Sequence, residues 1–352
     1  MKDFTLRILK WYAENKRDLP WRKTNDPYKI WLSEIILQQT RVDQGRDYYL
    51  RFVEAFPGIH AMAESSEEKV LKLWQGLGYY SRARNLHATA RQVSGQYHGR
   101  FPETYDELLG LKGIGPYTAA AIASIAFGRA VPVIDGNVIR VLARYYGIKE
   151  AYGNARQKKI FESYAWQSLY KQDAGTYNQA IMEFGALYCT PSKPDCTNCI
   201  LKENCFAHNE NLVPQLPVRT ARIGLKQRYF NYLVIRYKNK GRQEIYFRRR
   251  NAEDIWKNLY DFPLIESGSF LKNEKLLEKV KDLAGHEISF LKKTREFQHL
   301  LTHRKIRASF FIFDLSKKLD LYEDCIWVNH SKLRELPVPR LIEKFLQEEK
   351  YL

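Results

Sequence analysis

The sequence predicts a mainly α-helical N-terminal region followed by a smaller α+β domain. Up to about residue 208, apolar residues recur at three- and four-residue spacing, and glycines or a Pro-Gly pair separate the periodic segments. Beyond residue 228, short runs rich in aromatic and β-branched residues replace this pattern, as is typical of strands. The length of 352 residues is sufficient for two domains with separate cores.

The domain bounds follow from where the pattern changes. We expect a helical domain at 1–208, an interdomain connector at 209–227 and a second domain at 228–352. The connector is assigned because Pro214, Pro217 and a basic stretch show little periodicity.

The elements of the second domain are predicted from its apolar runs. Residues 229–237 and 244–248 indicate a hairpin around a turn at 239–242. A helical pattern at 273–283 precedes another strand at 308–315. The second domain is therefore predicted to be a small mixed sheet with one or two helices.

The charge balance favours a polyanionic partner. Lysine and arginine number 57 against 40 acidic residues, which gives a formal net charge of +17. Nucleic acid, a membrane surface or an acidic protein would all be attracted to such a surface. Aromatic residues make up 14% of the chain and add capacity for stacking on bases.

No segment resembles a secretory signal or a membrane span. The first ten residues have charges scattered through an amphipathic pattern. The most apolar stretch, 119–127, is far shorter than the roughly 20 residues that a membrane helix needs. We therefore expect a protein without membrane association in the cytoplasm, associated with the nucleoid if the source is bacterial. We separately expect the protein to be a monomer.

A glycine-containing hairpin indicates contact with a phosphate backbone. Residues 111–118 read LKGIGPYT, in which Gly113 and Gly115 can form a tight turn whose N–H groups point outward beside a helix N-terminus. Twenty residues later, VIDGN places Asp135 near the bound backbone. A plain turn between two helices is the alternative interpretation of the hairpin.

Four cysteines are clustered within seventeen residues. Their spacing is C-x6-C-x2-C-x5-C, at Cys189, Cys196, Cys199 and Cys205. Disulfides are disfavoured in a cytosolic chain, so the thiols are expected to share a zinc ion or an iron-sulfur cluster. The spacing by itself does not separate these two.

Taken in order, the hairpin, Asp135 and the cysteines resemble the endonuclease III superfamily of DNA glycosylases, and the 6-2-5 spacing is similar to its [4Fe-4S] loop. The resemblance implies the helix-hairpin-helix glycosylase fold for residues 1–208, with an iron-sulfur cluster on the four cysteines and no nucleotide cofactor. Finer motifs resemble the adenine DNA glycosylase (MutY) family, and this resemblance covers nearly the whole chain. They read LPWR (19–22), DPY (26–28), WLSEIILQQT (31–40), GLGYY (76–80) and NQAIME (178–183).

The family resemblance implies removal of adenine opposite 8-oxoguanine or guanine in double-stranded DNA. In relatives that also cleave the strand, a lysine follows the hairpin, whereas Tyr117 stands there in this chain. Tyrosine cannot form the imine that leads to strand cleavage, so we predict a monofunctional glycosylase.

Two carboxylates are the candidate catalytic groups. Glu34 lies in a helical segment whose face it shares with Trp31, Ile35 and Gln38, and a half-apolar pocket would raise its pKa and keep it protonated as the general acid. By resemblance, Glu34 protonates adenine at N7 and ionised Asp135 stabilises the cationic sugar or transiently bonds it. The alternatives are an exposed helix carboxylate for Glu34 and a helix N-cap for Asp135.

The remaining site residues are carried over from the family. The enzyme must flip adenine out of the duplex and fill the space that it leaves. Tyr117 and Asn137 are expected to support the carboxylates. The resemblance assigns the adenine pocket to Arg17, Trp21, Arg22, Leu37 and Glu183. It assigns DNA contacts to Gln39, Thr40, Leu77, Tyr79, Leu111, Gly113 and Gly115.

The second domain resembles the Nudix-like domain of adenine glycosylases through IWKNLYDFP at 255–263. Its helix lacks the Arg-Glu-x-x-Glu-Glu run of a Nudix metal site, so recognition of 8-oxoguanine is expected instead. The matching loop is Leu301, Thr302 and His303, where relatives commonly carry Phe-Ser-His. A histidine-containing strand turn is the alternative.

Two other functions remain alternatives. A pyrimidine-directed glycosylase and lyase of the endonuclease III type would need a lysine or a different pocket. A noncatalytic DNA-binding or redox-sensing iron-sulfur protein would not need both carboxylates.

Overall fold

A computed structural model describes residues 2–218, 224–239, 242–251, 253–284 and 287–352. They form two compact units: the helical unit combines residues 1–64 with 85–221, and the sheet unit combines residues 65–84 with 222–352. Within the described ranges, no helix is long and apolar enough to cross a membrane.

The helical unit contains most of the helices. They are α1 (Lys2–Asn15), α2 (Pro27–Leu37), α3 (Val42–Ala55), α4 (Ile59–Glu64), the larger part of α6 (Ser81–Gln96), α7 (Tyr105–Leu109), α8 (Pro116–Ile125), α9 (Gly136–Tyr146), α10 (Ala155–Ser168), α11 (Ala174–Leu187) and α12 (Phe206–Asn209). Apolar residues at helical spacing, among them Phe4, Ile8, Leu142 and Phe184, form a shared core of α1, α8, α9 and α11. This core fixes the helices that carry the candidate catalytic residues.

The sheet unit contains α5 (Glu67–Trp74), the first turn of α6 and all the described strands. The strands are β1 (Lys226–Asn239), β2 (Arg242–Arg249), β3 (Tyr260–Asp261), β4 (Leu264–Ser267), β5 (Ile288–Lys293), β6 (Phe297–Leu300), β7 (Arg304–Leu315) and β8 (Cys325–Asn329). The main sheet order is β3-β2-β1-β7-β5, with β1 and β7 parallel and the other pairs antiparallel. The helices α13 (Asn273–Ala284), α14 (His330–Glu335) and α15 (Arg340–Glu348) complete the unit.

Both faces of the central strands are buried. Leu233 and Ile235 on β1 pack in a core that includes Leu276 of α13. On the other face, Phe310 of β7 stacks on Phe345 of α15 with ring centroids 3.9 Å apart. Burial on two sides explains why β1 reads as a continuous aromatic and aliphatic run rather than as an alternating one.

The structure confirms the predicted fold class and extends the predicted elements. The hairpin of β1 and β2 is antiparallel as expected, and the predicted helix at 273–283 is α13. Residues 240 and 241 of the expected turn, and 219–223 of the expected connector, lie outside the described residues. The predicted domain bounds stay a prediction, and the structure groups residues 65–84 with the sheet unit.

Candidate active site

Glu34 is buried near the end of α2. The helix begins at Asp26, whose side chain accepts a hydrogen bond from the Tyr28 amide, and at Pro27, whose fixed φ suits a first helical position. The Glu34 side chain accepts a hydrogen bond of 2.6 Å from the Tyr117 hydroxyl. Burial raises the pKa of Glu34 to about 7, although the Tyr117 hydrogen bond acts in the opposite direction. A carboxyl with this pKa retains a proton near neutral pH and can act as an acid.

Tyr117 stands in the first turn of α8, directly after the glycine hairpin. Burial raises the pKa of its phenol well above the ordinary value, so the hydroxyl remains a hydrogen-bond donor. Its oxygen also lies 3.4 Å from the sulfur of Met182 on α11. Tyr117 therefore links α2, α8 and α11 at one point.

Asp135 is the N-cap residue of α9. One carboxylate oxygen accepts hydrogen bonds from the amides of Asn137 and Val138, at 2.9 and 2.8 Å, and the other accepts one of 2.7 Å from the Asn137 side chain. Burial raises the pKa of Asp135, while these N–H donors oppose that rise. Three N–H donors and a helix N-terminus favour the ionised form of Asp135 over that of Glu34. The N-cap interpretation is correct, and it coexists with a place in the cleft.

Arg140 on α9 donates hydrogen bonds that fix Asn137, the residue whose side chain donates to Asp135. Its guanidinium donates to the side-chain oxygen of Asn137 at 2.8 Å, and also to the carbonyls of Gly185 and Cys189. A Cβ on Gly185 would lie 2.7 Å from Cβ of Asn137, so only glycine allows α11 this close to the first turn of α9. The sequence interpretation missed both Arg140 and Gly185.

Glu183 on α11 accepts hydrogen bonds from two arginines. Arg17 donates from its side chain at 2.8 and 2.6 Å, and Arg22 donates at 2.8 Å to each oxygen. Burial would raise the pKa of Glu183, but these hydrogen bonds outweigh it and lower the pKa to about 2. Glu183 is thus an ionised carboxylate in a fixed orientation, unlike Glu34.

These groups line one cleft of about 770 Å³ in the helical unit. The predicted residues that line it are Arg17, Trp21, Arg22, Glu34, Leu37, Gln39, Thr40, Gly113, Gly115, Tyr117, Asp135, Asn137 and Glu183. The sequence interpretation missed Gln179, Met182 and Ala186, which also line it. Their spacing of three and four residues on α11, around Glu183, is the signal that could have found them.

The glycine hairpin has the backbone that its sequence predicts. Gly113 has φ of 77°, and a Cβ there would lie 2.5 Å from Cβ of Asn85. Gly115 is the N-cap of α8 and has open space around it. Leu111 is buried, and its carbonyl accepts a hydrogen bond from the Ile114 amide within the turn. The hairpin therefore leads directly into a helix N-terminus, the geometry that suits a phosphate.

The cysteine segment follows α11. Cys189, Cys196, Cys199 and Cys205 are all free thiols and all partly buried. The Cys189 sulfur accepts a hydrogen bond of 3.4 Å from Arg144, and the Cys199 sulfur accepts one of 3.4 Å from the Leu201 amide. Among the described residues, no three His, Cys, Asp or Glu side chains are grouped as for a single metal ion.

The remaining predicted residues lie in the sheet unit. Tyr79 has φ of 48° and is 46% exposed, whereas Leu77 is buried. The Tyr79 hydroxyl and the Thr302 hydroxyl share a short hydrogen bond. Turn 301–303, between β6 and β7, exposes Thr302 and His303, and Leu301 is partly buried. The fold thus brings together two predicted sites more than 200 positions apart.

A helical fold in which a glycine hairpin, a glutamate of raised pKa and an N-capping aspartate line one cleft is typical of base-excision DNA glycosylases. Residues 32–167 match the HhH-GPD superfamily base excision DNA repair protein family, and residues 231–348 match the NUDIX domain family. A thermostable thymine-DNA glycosylase is 30% identical, with a TM-score of 0.56 over 59% of this chain and 96% of its own. The structure of an endonuclease III–DNA complex, at 20% identity and a TM-score of 0.52, shares the fold.

The similarity to adenine DNA glycosylases covers both units. The enzyme of Buchnera aphidicola subsp. Schizaphis graminum is 33% identical over 98% of each chain. The human enzyme is 42% identical over 57% of this chain and 38% of its own length. This chain belongs to the adenine DNA glycosylase family.

Proposed function

We propose that the protein hydrolyses the N-glycosidic bond of adenine opposite 8-oxoguanine or guanine, without cutting the strand. The observation that carries this proposal is the pairing in one cleft of Glu34, whose pKa is about 7, with Asp135. An acid must improve the leaving base, and an anion must stabilise the electron-poor sugar. The named relatives support adenine as the base.

Glu34 acts as the general acid. Its proton passes to a ring nitrogen of adenine, and the electrons of the glycosidic bond leave with the base. The positive charge that develops on the sugar is stabilised by the Asp135 carboxylate. A water molecule then bonds to the anomeric carbon, and its proton returns to the Glu34 carboxylate.

Arg17, Arg22 and Glu183 form one wall of the proposed adenine pocket. The two guanidiniums hold the Glu183 carboxylate in place, and its pKa of about 2 keeps it an acceptor at any physiological pH. Trp21, which is 8% exposed, lines the same cleft with Leu37. An ionised acceptor beside an apolar wall suits a flat base that carries an amino group.

The described residues that line the cleft support a monofunctional reaction. No lysine is among the described residues that line the cleft, and the Tyr117 hydroxyl donates to Glu34. An imine with the sugar requires a primary amine at the anomeric carbon. The abasic product is therefore expected to keep its strand intact.

The four cysteines suit an iron-sulfur cluster in the helical unit. All four thiols are free, and two of their sulfurs accept N–H hydrogen bonds, as cluster thiolates do. Cys189, Cys196, Cys199 and Cys205 would hold a [4Fe-4S] cluster as thiolates. Bound there, the cluster would crosslink the segment that contacts Arg140 and Arg144.

Lesion recognition is proposed for turn 301–303. Thr302 and His303 are exposed, and the Thr302 hydroxyl is held by Tyr79. A hydroxyl and an imidazole can read the altered edge of 8-oxoguanine through hydrogen bonds. We propose that the protein acts as a monomer on duplex DNA in the cytoplasm.

A borohydride trapping experiment tests the monofunctional step. The protein is incubated with a duplex that contains adenine opposite 8-oxoguanine, in the presence of sodium borohydride, and run beside an endonuclease III-type enzyme as a positive control. We expect free adenine and no covalent complex, and in a parallel reaction without borohydride we expect a strand that breaks only after alkali. A trapped complex, or strand breaks without alkali, would contradict the proposal.

A further inference from the structure

Asp254 lies at the meeting point of three arginines in the sheet unit. Arg228 donates to both of its carboxylate oxygens, at 3.0 and 2.9 Å. Arg250 donates to it at 2.8 Å and Arg304 at 3.1 Å. The amide of Ile255 adds a fourth donor at 2.7 Å. A carboxylate with this many charge-assisted hydrogen bonds is fixed in position.

Two of the three arginines have a second acidic partner. Arg228 also donates to Glu266 at 2.6 and 2.7 Å, and Arg250 donates at 2.7 Å to fully buried Asp261. Among the described residues, Arg304 makes its ion pair with Asp254. Of the three, Arg304 is therefore the one whose position depends most on Asp254.

Arg304 forms the base of turn 301–303. Its carbonyl accepts a hydrogen bond of 2.8 Å from the Leu301 amide, which closes the turn. The neighbouring carbonyl of His303 accepts one of 3.0 Å from the Lys226 amide at the start of β1. The exposed tip, Thr302 and His303, is therefore oriented by the backbone at its base.

We propose that Asp254 is a positioning residue that fixes turn 301–303 through Arg304 and thereby sets the preference for 8-oxoguanine over guanine. This inference rests on the proposed recognition of the lesion by that turn. The Arg304–Asp254 ion pair at the base of turn 301–303 restrains the backbone that orients Thr302 and His303.

Two variants test the proposal independently. Asp254→Asn removes the carboxylate charge but keeps the shape of the side chain. Arg304→Gln removes the guanidinium that joins the turn to Asp254, while Arg228 and Arg250 keep their ion pairs with Asp254. The matched control is Glu296→Gln, which breaks the bidentate ion pair with Arg307 on the same hairpin, with both contacts at 2.6 Å. Single-turnover rates of adenine release are measured opposite 8-oxoguanine and opposite guanine for each protein.

We expect both variants to lower the 8-oxoguanine to guanine rate ratio by roughly three- to fivefold, as for one partly exposed charged pair. The double variant should lose no more than the larger single effect, because both changes break the same contact. Glu296→Gln should keep the wild-type ratio, which separates positioning from a general loss of stability.

Three results would overturn the inference. If Arg304→Gln and Asp254→Asn keep the wild-type ratio, or if Glu296→Gln lowers it equally, Asp254 has only a structural role. If the wild-type protein shows no preference for 8-oxoguanine, the proposed lesion recognition fails and the inference fails with it. The wild-type measurement therefore distinguishes the two failures.

Discussion

Glu34 and Asp135 differ in their hydrogen-bond partners, and this difference favours the ionised form more strongly at Asp135 than at Glu34. Glu34 accepts one hydrogen bond, from a phenol, in a buried position. Asp135 accepts three from N–H groups at a helix N-terminus. One cleft can thus hold an acid and an anion at the same pH.

The raised pKa of Glu34 has a stability cost that can be measured. Because its folded pKa of about 7 exceeds its ordinary 4.5, the folded state holds a proton that the unfolded state releases. The stability from this proton is complete below pH 4.5 and is lost as the pH rises to about 7, at about 1.4 kcal/mol per pKa unit. The free energy of unfolding of Glu34→Gln, relative to that of wild type, should therefore increase as the pH rises from 5 to 8. Urea unfolding of both proteins at the two pH values measures this.

The matched control for this experiment is Glu14→Gln, a change of an exposed carboxylate on α1. The control should follow the wild-type pH dependence of the free energy of unfolding. Parallel pH curves for Glu34→Gln and wild type would contradict the assignment of a raised pKa.

Individual elements were predictable where local chemistry decides them. The sequence indicated a helix that begins after Asp135 and a tight turn at Gly113, because an N-cap and a positive φ are local requirements. Arg140 and Gly185 could not be found in this way. Their roles arise from the approach of α9 to α11, which depends on packing between distant segments.

The hairpin offers a paired glycine test. Gly113→Ala would place a Cβ 2.5 Å from Asn85 at a φ of 77°, whereas Gly115→Ala meets no atom within 4 Å at an ordinary φ. We expect Gly113→Ala to lower the free energy of unfolding by at least about 1–2 kcal/mol, the usual penalty for a left-handed residue. Gly115→Ala should stay within about 0.5 kcal/mol of wild type. Equal effects of the two changes in urea unfolding would contradict this account of the hairpin.

At the scale of the whole molecule, the sequence predicted two regions but not how residues 65–84 are distributed between them. A pattern along the chain assigns contiguous domains, whereas the structure groups α5 and Tyr79 with the sheet unit. The sequence interpretation missed the ion pairs of Asp254 with three arginines for a similar reason. These arginines, at 228, 250 and 304, come together only through strand pairing.

The net charge of +17 predicts that the affinity for DNA depends on the salt concentration. Lysine and arginine contacts with phosphates release counterions, so affinity falls as salt rises. We expect the dissociation constant for duplex DNA to increase by at least roughly tenfold between about 50 and 200 mM salt. Fluorescence anisotropy with Glu34→Gln, which we expect to be inactive, measures this without turnover. An affinity independent of salt would contradict a phosphate-binding surface.

The central claim is that Glu34 acts as the acid that releases adenine. The most direct test is a single-turnover assay of wild type and Glu34→Gln on duplexes with adenine opposite 8-oxoguanine, guanine, cytosine or thymine, with and without alkali. We predict adenine release that is fastest opposite 8-oxoguanine, strand breaks only after alkali, and no release by Glu34→Gln although it still binds the duplex. Adenine release by Glu34→Gln at the wild-type rate, or no release by the wild-type protein, would contradict the account.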